Sequence, residues 1–172
     1  MCRTMIIAIL LAISSLAFAA DEQFSDGLKL YLKGEVEQAV QIWNQMAQQG
    51  NLQAQIQLGQ YYLSDGKQRD YQQAVHWYEM AASQGDKDAR QYLDNARTLY
   101  NTWRTLADEI GADAAYDTLA LREHLHEGDD TQCGFVIEVK NKVALIQTTS
   151  QPRWFKKDEL YLPGAKGCSW SH

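Results

Sequence analysis

At 172 residues, with 45% hydrophobic and 22% charged side chains, the chain has ordinary globular composition. That excludes wholesale disorder and leaves room for one mid-sized domain or two small ones. A formal net charge of −6 does not suit a nucleic-acid binder.

The first twenty residues differ from the rest. Arg3 supplies a positive start, Ile6 to Leu16 is an apolar run, and Ala17-Phe18-Ala19 places small residues two apart. This reads as a secretory leader cut after Ala19 or Ala20, so the mature chain is expected in the periplasm or secreted. The apolar run is shorter than the roughly 20 residues a bilayer requires, and no second run follows, so the chain is not expected to span a membrane. Cys2 lies ahead of the run and not at a cleavage point, which argues against a lipoprotein. Cleavage removes one Arg and no acid, leaving 15 basic against 22 acidic residues, or −7.

Asp21 to Ser25 offers capping residues before a helix that carries Leu28, Leu30, Tyr31 and Leu32 and stops at Gly34. Glu35 to Gln49 places Val36, Ala39, Val40, Trp43, Met46 and Ala47 at helical offsets, and Gly50-Asn51 ends it. Ala39, Val40, Trp43, Ala47, Gln49-Gly50 and Ala54 recur 35 residues later as Ala74, Val75, Tyr78, Ala82, Gln84-Gly85 and Ala89. Such a period, helix–turn–helix, marks a solenoid whose units bury their faces by stacking. Trp43, Tyr62, Trp77 and Tyr78 are expected in its core. A third helix runs from Ala89 through Leu106 to Gly111 and is long enough to cap the array. Ala112 to Leu121 reads as a further helix with Tyr116, Leu119 and Ala120 inward.

The stretch from Ala54 to Ala89 reads Ala54, Leu58-Gly59, Tyr62, Gly66, Asp70, Ala74, Trp77-Tyr78, Ala81-Ala82, Gly85, Ala89. It resembles the Sel-one-like repeat family, a branch of the tetratricopeptide superfamily, at nearly every fixed position. The turn Ser64-Asp65-Gly66-Lys67 departs from the pattern, being about one residue short. Residues 24 to 53, with Gly27, Tyr31, Gly34, Ala39, Trp43 and Gly50, look like a plain tetratricopeptide unit. The resemblance implies that Gln53, Ile56, Gln60 and Leu63 line a groove that holds a peptide. The same stripe also reads as a solvated face, or as one covered by the C-terminal segment.

From Gly128 the pattern alternates. Phe135, Ile137 and Val139 are expected on one side, then an Asn141-Lys142 turn, then Val143, Leu145 and Gln147. Arg153 to Lys156 and Leu160-Tyr161-Leu162 supply two further strands. Cys133 and Cys168, the cysteines left after cleavage, are expected to pair in an exported chain, for roughly 4 kcal/mol on the chain-entropy model. Several strands in so short a segment predict a small curled barrel closed by that disulfide. It resembles, loosely, β-barrels of the KOW and Src-homology-three kind.

The expected fold class is therefore α+β: a short α-solenoid of two helical-hairpin repeats plus a capping helix, then a small disulfide-closed β-barrel. Residues 21–110 form the solenoid, 111–121 an acidic helical connector and 122–172 the barrel. Thr105 to Asp130 holds one Arg against eight acids, and Thr131 to His172 six basic residues against three acids. His124-x-His126 has metal-ligand residue types, but no third and fourth ligand follow at a recognisable spacing, so no metal is expected. Trp154 and Trp170 are candidate barrel-surface aromatics. No hydrolase motif occurs, no cofactor is expected, and the chain reads as a non-enzyme. The expected function is an envelope adaptor that binds a protein or peptide through its repeats. The alternative is a module that binds peptidoglycan or a glycan and recruits an envelope enzyme, and a third reading is an enzyme with a site near His124 and His126.

Overall fold

A computed structural model describes residues 20–64 and 66–168. Of the expected leader at 1–20, residues 1–19 lie outside the described residues, as does Trp170. The chain divides into two compact units, with the boundary between Thr98 and Leu99.

The first unit is helical. Residues 20–32 form α1, followed by α2 (Val36–Gln48), α3 (Leu52–Leu63), α4 (Tyr71–Ser83) and the first part of α5 (Lys87–Ile110). Asp21 to Ser25 lie inside α1, which includes residue 20, and so do not cap it.

The 35-residue recurrence has a local cause. At the end of α2 the Gly50 N–H donates to Ala47 O at 3.0 Å and the Asn51 N–H donates to Met46 O at 3.0 Å. These two bonds satisfy carbonyls that the helix end would leave unpaired, and they require a left-handed residue at Gly50, whose φ is +89°. The Asn51 side chain then accepts from Ala54 N at 2.9 Å and starts α3. Gly85-Asp86 repeats the device: Gly85 has φ +89°, and the Asp86 carboxylate accepts from Ala89 N at 2.7 Å. One dipeptide thus closes one helix and opens the next. Asp70 caps α4 by accepting from Gln73 N at 3.0 Å.

Trp43, Ala39, Met46, Ala47, Ala54, Leu58 and Trp77 form one buried cluster, so α2, α3 and α4 share a core. Ala74, Tyr78, Leu93 and Ala96 form a second cluster between α4 and α5. Close approach within each hairpin depends on a missing side chain. A Cβ at Gly59 would stand 2.6 Å from the Tyr78 ring, and one at Gly27 would stand 2.6 Å from Trp43 Nε1. Gly59→Ala is expected to destabilise by about 1–2 kcal/mol, since overpacking against a buried ring outweighs the better helix propensity. Chemical denaturation checks it, and an unchanged or raised midpoint would refute the close-approach argument.

The second unit contains the rest of α5, α6 (Ala112–Glu123) and a four-stranded antiparallel sheet. The helix expected at 112–121 is present, but its fully buried side chains are Ala115 and Thr118. Tyr116, Leu119 and Ala120 are only half-buried.

The strands are β1 (Asp130–Thr131), β2 (Gly134–Lys140), β3 (Val143–Gln147) and β4 (Pro152–Lys156), in spatial order β1-β2-β3-β4. The expected barrel is not formed, and the likeness to KOW and Src-homology-three barrels does not hold. The sheet is open, with β4 unpaired to β1. Closure demands long, tilted strands, and β1 has two residues. The inner face is covered instead by Leu125, Leu160 and Cys133, with Leu121 beside them, over Val136, Ala144 and Ile146.

The alternation also differs from expectation. Val136, Ala144 and Ile146 point inward, and Phe135 is 49% exposed. A register shift between Val136 and Glu138 inserts Ile137 as an extra residue on β2, so Val139 rather than Glu138 follows Val136 onto the inner face, while β3 alternates regularly with Ala144 and Ile146 inward. Leu160-Tyr161-Leu162 is not a strand. A 3-10 turn at Lys157–Glu159 precedes it, and Tyr161 is held by Gln132, whose backbone N–H donates to Tyr161 O at 2.9 Å and whose side-chain oxygen accepts from Tyr161 N at 2.6 Å. Cys133 and Cys168 form a disulfide.

Candidate functional site

The predicted groove stripe lies on α3, whose N-terminus is fixed by the Asn51 cap. Its four side chains divide by environment. Gln53 and Gln60 are exposed. Ile56 and Leu63 are half-buried and pack against the Ala74, Tyr78, Leu93 and Ala96 cluster. The helix thus presents two amides beside a partly covered apolar edge. Tyr92 adds a 38% exposed ring to this unit, with its centroid 5.6 Å from that of Tyr78.

A buried polar bridge at the centre of the unit was not foreseen. Gln55 is 1% exposed, and its side-chain nitrogen donates to Ala47 O at 2.9 Å. Its oxygen accepts at 2.8 Å from the Gln84 side chain, which also donates to Gly50 O at 3.0 Å. These contacts satisfy a buried amide and tie the end of α4 to the end of α2. The recurrence of Gln49-Gly50 as Gln84-Gly85 was the available signal, though it could not reveal Gln55 as the acceptor.

Burial pushes the Tyr78 hydroxyl up to about 12, with a smaller contribution from Tyr92. Between pH 10 and that value the unfolded chain releases this proton while the folded chain keeps it. Stability is therefore expected to fall across this window by about 2–3 kcal/mol from this residue. Below pH 10 the contribution is fully present. Comparing the alkaline limb of denaturation curves for the protein and Tyr78→Phe checks this, and identical slopes would exclude it.

In the second unit Trp154 is 46% exposed on the outer face of the sheet, with the Lys140 ammonium 4.4 Å from its ring centroid. Lys140 also pairs with Glu138 at 3.1 Å. On the α5 side, Glu109 accepts from the Tyr161 hydroxyl at 3.0 Å and pairs with Lys166. The Lys166 ammonium, then the Tyr161 hydroxyl, hold the Glu109 carboxyl below its usual range, and the same ion pair raises Lys166. The Arg122 guanidinium lies 4.9 Å from the Tyr161 ring centroid and donates to Leu160 O at 2.8 Å. This cluster fixes the segment between the 3-10 turn and Cys168.

His124 and His126 are both exposed. His124 stands at the end of α6, and the His126 backbone N–H donates to the Asp129 carboxylate at 2.7 Å. Among the described residues no three His, Cys, Asp or Glu side chains gather in a metal-holding group. No helix of the described residues is long and apolar enough to cross a membrane.

Residues 52–86 match the family model of the Sel1 repeat. No curated protein and no solved structure matches the chain. The match covers α3, the turn, α4 and the Gly85-Asp86 cap, which is the segment where packing and capping repeat most regularly. Repeats of this class generally mediate protein–protein interactions.

Proposed function

We propose that this chain is an exported adaptor of the cell envelope that holds a protein or peptide through its helical repeats and performs no chemistry of its own. The observation that carries the reading is the α3 face. Gln53 and Gln60 offer amide donors and acceptors to solvent one helical turn either side of Ile56, and Leu63 continues the apolar edge. Polar groups that hydrogen-bond an extended chain, beside an apolar edge that takes its side chains, are what a helical groove for a peptide needs. The leader-like stretch at the start of the sequence is what supports a partner outside the cytoplasm in this reading.

Affinity capture from envelope extract tests it with three full-length baits. The parent chain and Trp154→Ala are expected to retain a common partner, and Gln53→Lys/Gln60→Lys is expected to lose it. Retention by the double variant would remove the α3 face from the function. The exposed Trp154 and Phe135 on the outer sheet face favour the second reading, a module that binds peptidoglycan or a glycan. Loss of capture with Trp154→Ala alone, together with sedimentation of the parent chain with purified sacculi, would select it.

A further inference from the structure

The sheet carries a second candidate site, independent of the repeat-mediated reading. Where the β2–β3 turn meets the end of β4, Asn141, Lys142, Val143, Lys156, Lys157 and Asp158 line a cleft of about 540 Å³. Ligand sites span roughly 300–1,000 Å³, so the space suffices for a short segment of chain. The fold builds it with little freedom. Val143 and Lys156 are register partners, and the Lys157 N–H donates to Lys142 O at 3.0 Å, which clamps the two sides.

The four lysines near this end of the sheet differ in their partners. Lys140 is paired with Glu138 and Lys156 with Glu159, at 3.1 and 3.8 Å. The Lys142 and Lys157 ammonium groups have no acidic partner among the described residues, and both line the cleft. Two unneutralised cations beside Val143 and the aliphatic lysine stems ask for anionic groups on a body with some apolar surface. Asp158 and Asn141 narrow the choice. A carboxylate on the wall repels a bare polyanion, but together with the Asn141 amide it can accept the N–H groups of a peptide backbone.

The geometry points to this cleft as a binding site for an acidic peptide segment, its carboxylates on Lys142 and Lys157 and its backbone against Asn141 and Asp158. Titration of the isotope-labelled protein, followed by amide NMR, tests it with three probes: a decapeptide of alternating glutamate and alanine, its lysine–alanine counterpart, and inorganic phosphate. The acidic peptide is expected to shift the amides of residues 141–143 and 156–158 and to leave those of α3 in place. Lys142→Glu/Lys157→Glu is expected to weaken that binding roughly tenfold, since each removes an exposed charge pair and adds a repulsion. The spectrum itself reports whether the variant is folded, and Lys142→Gln/Lys157→Gln, which removes charge without adding repulsion, is expected to weaken binding less but measurably. Absence of shifts in the cleft, an equal response to phosphate or to the lysine peptide, or undiminished binding by both variants would each overturn the assignment. An intact cleft response in Gln53→Lys/Gln60→Lys keeps this outcome separable from failure of the α3 reading.

Discussion

Trp43→Ala is expected to destabilise the helical unit by about 3–5 kcal/mol, enough to unfold it at moderate temperature if its total stability is ordinary. The indole is completely buried. Phe24 and Tyr31 of α1 stand 6.3 and 5.5 Å from it by ring centroid, and Leu58 and Trp77 pack in the same cluster from α3 and α4. Removing the ring therefore opens a cavity where two hairpins meet, and in a stacked array the contact between units carries much of the stability. Helical circular dichroism against denaturant measures the loss. Trp43→Phe is expected to cost less, about 1–2 kcal/mol, for a reason beyond volume. Trp43 Nε1 is buried with no hydrogen-bond partner among the described residues, so the smaller ring removes an unsatisfied donor along with its contacts. Gly27 supplies the cross-check. A Cβ there meets the five-membered edge of the indole, at 2.6 Å from Nε1 and 3.1 Å from Cδ1. Gly27→Ala should therefore cost less in the Trp43→Phe background than in the parent chain, a coupling that a double-mutant cycle measures directly. Additive costs would show that the contact at Gly27 is not what limits the hairpin.

The helical unit was legible because its rules are local. A glycine that ends a helix and an Asn or Asp that caps the next lie side by side at Gly50-Asn51 and Gly85-Asp86, and an aromatic returns to the corresponding inter-helix space one period later, as Trp43 and then Tyr78. Gln55 was not legible, because a buried amide is explained only by partners eight and 29 residues away. The stripe Gln53, Ile56, Gln60, Leu63 was legible as one helical face. Only the packing of α3 on its neighbours assigns Ile56 and Leu63 to a core edge and leaves the two amides in water. In the sheet the hairpin turn is legible and the faces are not. Strand alternation is a period-two signal, and the extra residue at Ile137 breaks it on β2, so Phe135 and Val139 do not share a face. On β3 the alternation is regular, but Val143 and Leu145 are as apolar as the Ala144 and Ile146 that take the core, so residue type does not choose the face. The expected closure fails because burial does not distinguish a strand from a covering segment. Leu160 is fully buried, as an inward strand residue is, yet it serves as a plug under an open sheet, held by Arg122 and by the Gln132–Tyr161 contacts.

Gly134→Ala is expected to be the most damaging single change in the second unit, at about 3–5 kcal/mol. Two costs coincide at this residue. Its φ of +134° lies where side chains with a Cβ rarely go, and the Cβ would enter the shell of the Gln147 backbone carbonyl. The obstacle is main chain and cannot swing aside. Relief requires moving β2 away from β3 at the Phe135–Gln147 pair, or opening the β1–β2 turn, in which Thr131 Oγ1 donates to Gly134 O at 2.7 Å. Either movement disturbs Cys133, the next residue and one end of the disulfide, so a larger fraction of free thiol is expected in the purified variant. Gly128→Ala separates the two costs. Gly128 also has positive φ, +93°, but a Cβ there meets nothing within 4 Å, so the variant should lose only the conformational share, about 1–2 kcal/mol. Amide NMR of the sheet under denaturant, with a thiol assay alongside, measures both. Equal losses in the two variants would mean that backbone strain alone matters and that β2 and β3 can part at Gln147 at little cost. A much larger loss at Gly134, with free thiol, would place the tightest constraint of the open sheet at the first residue of β2, directly after the disulfide cysteine.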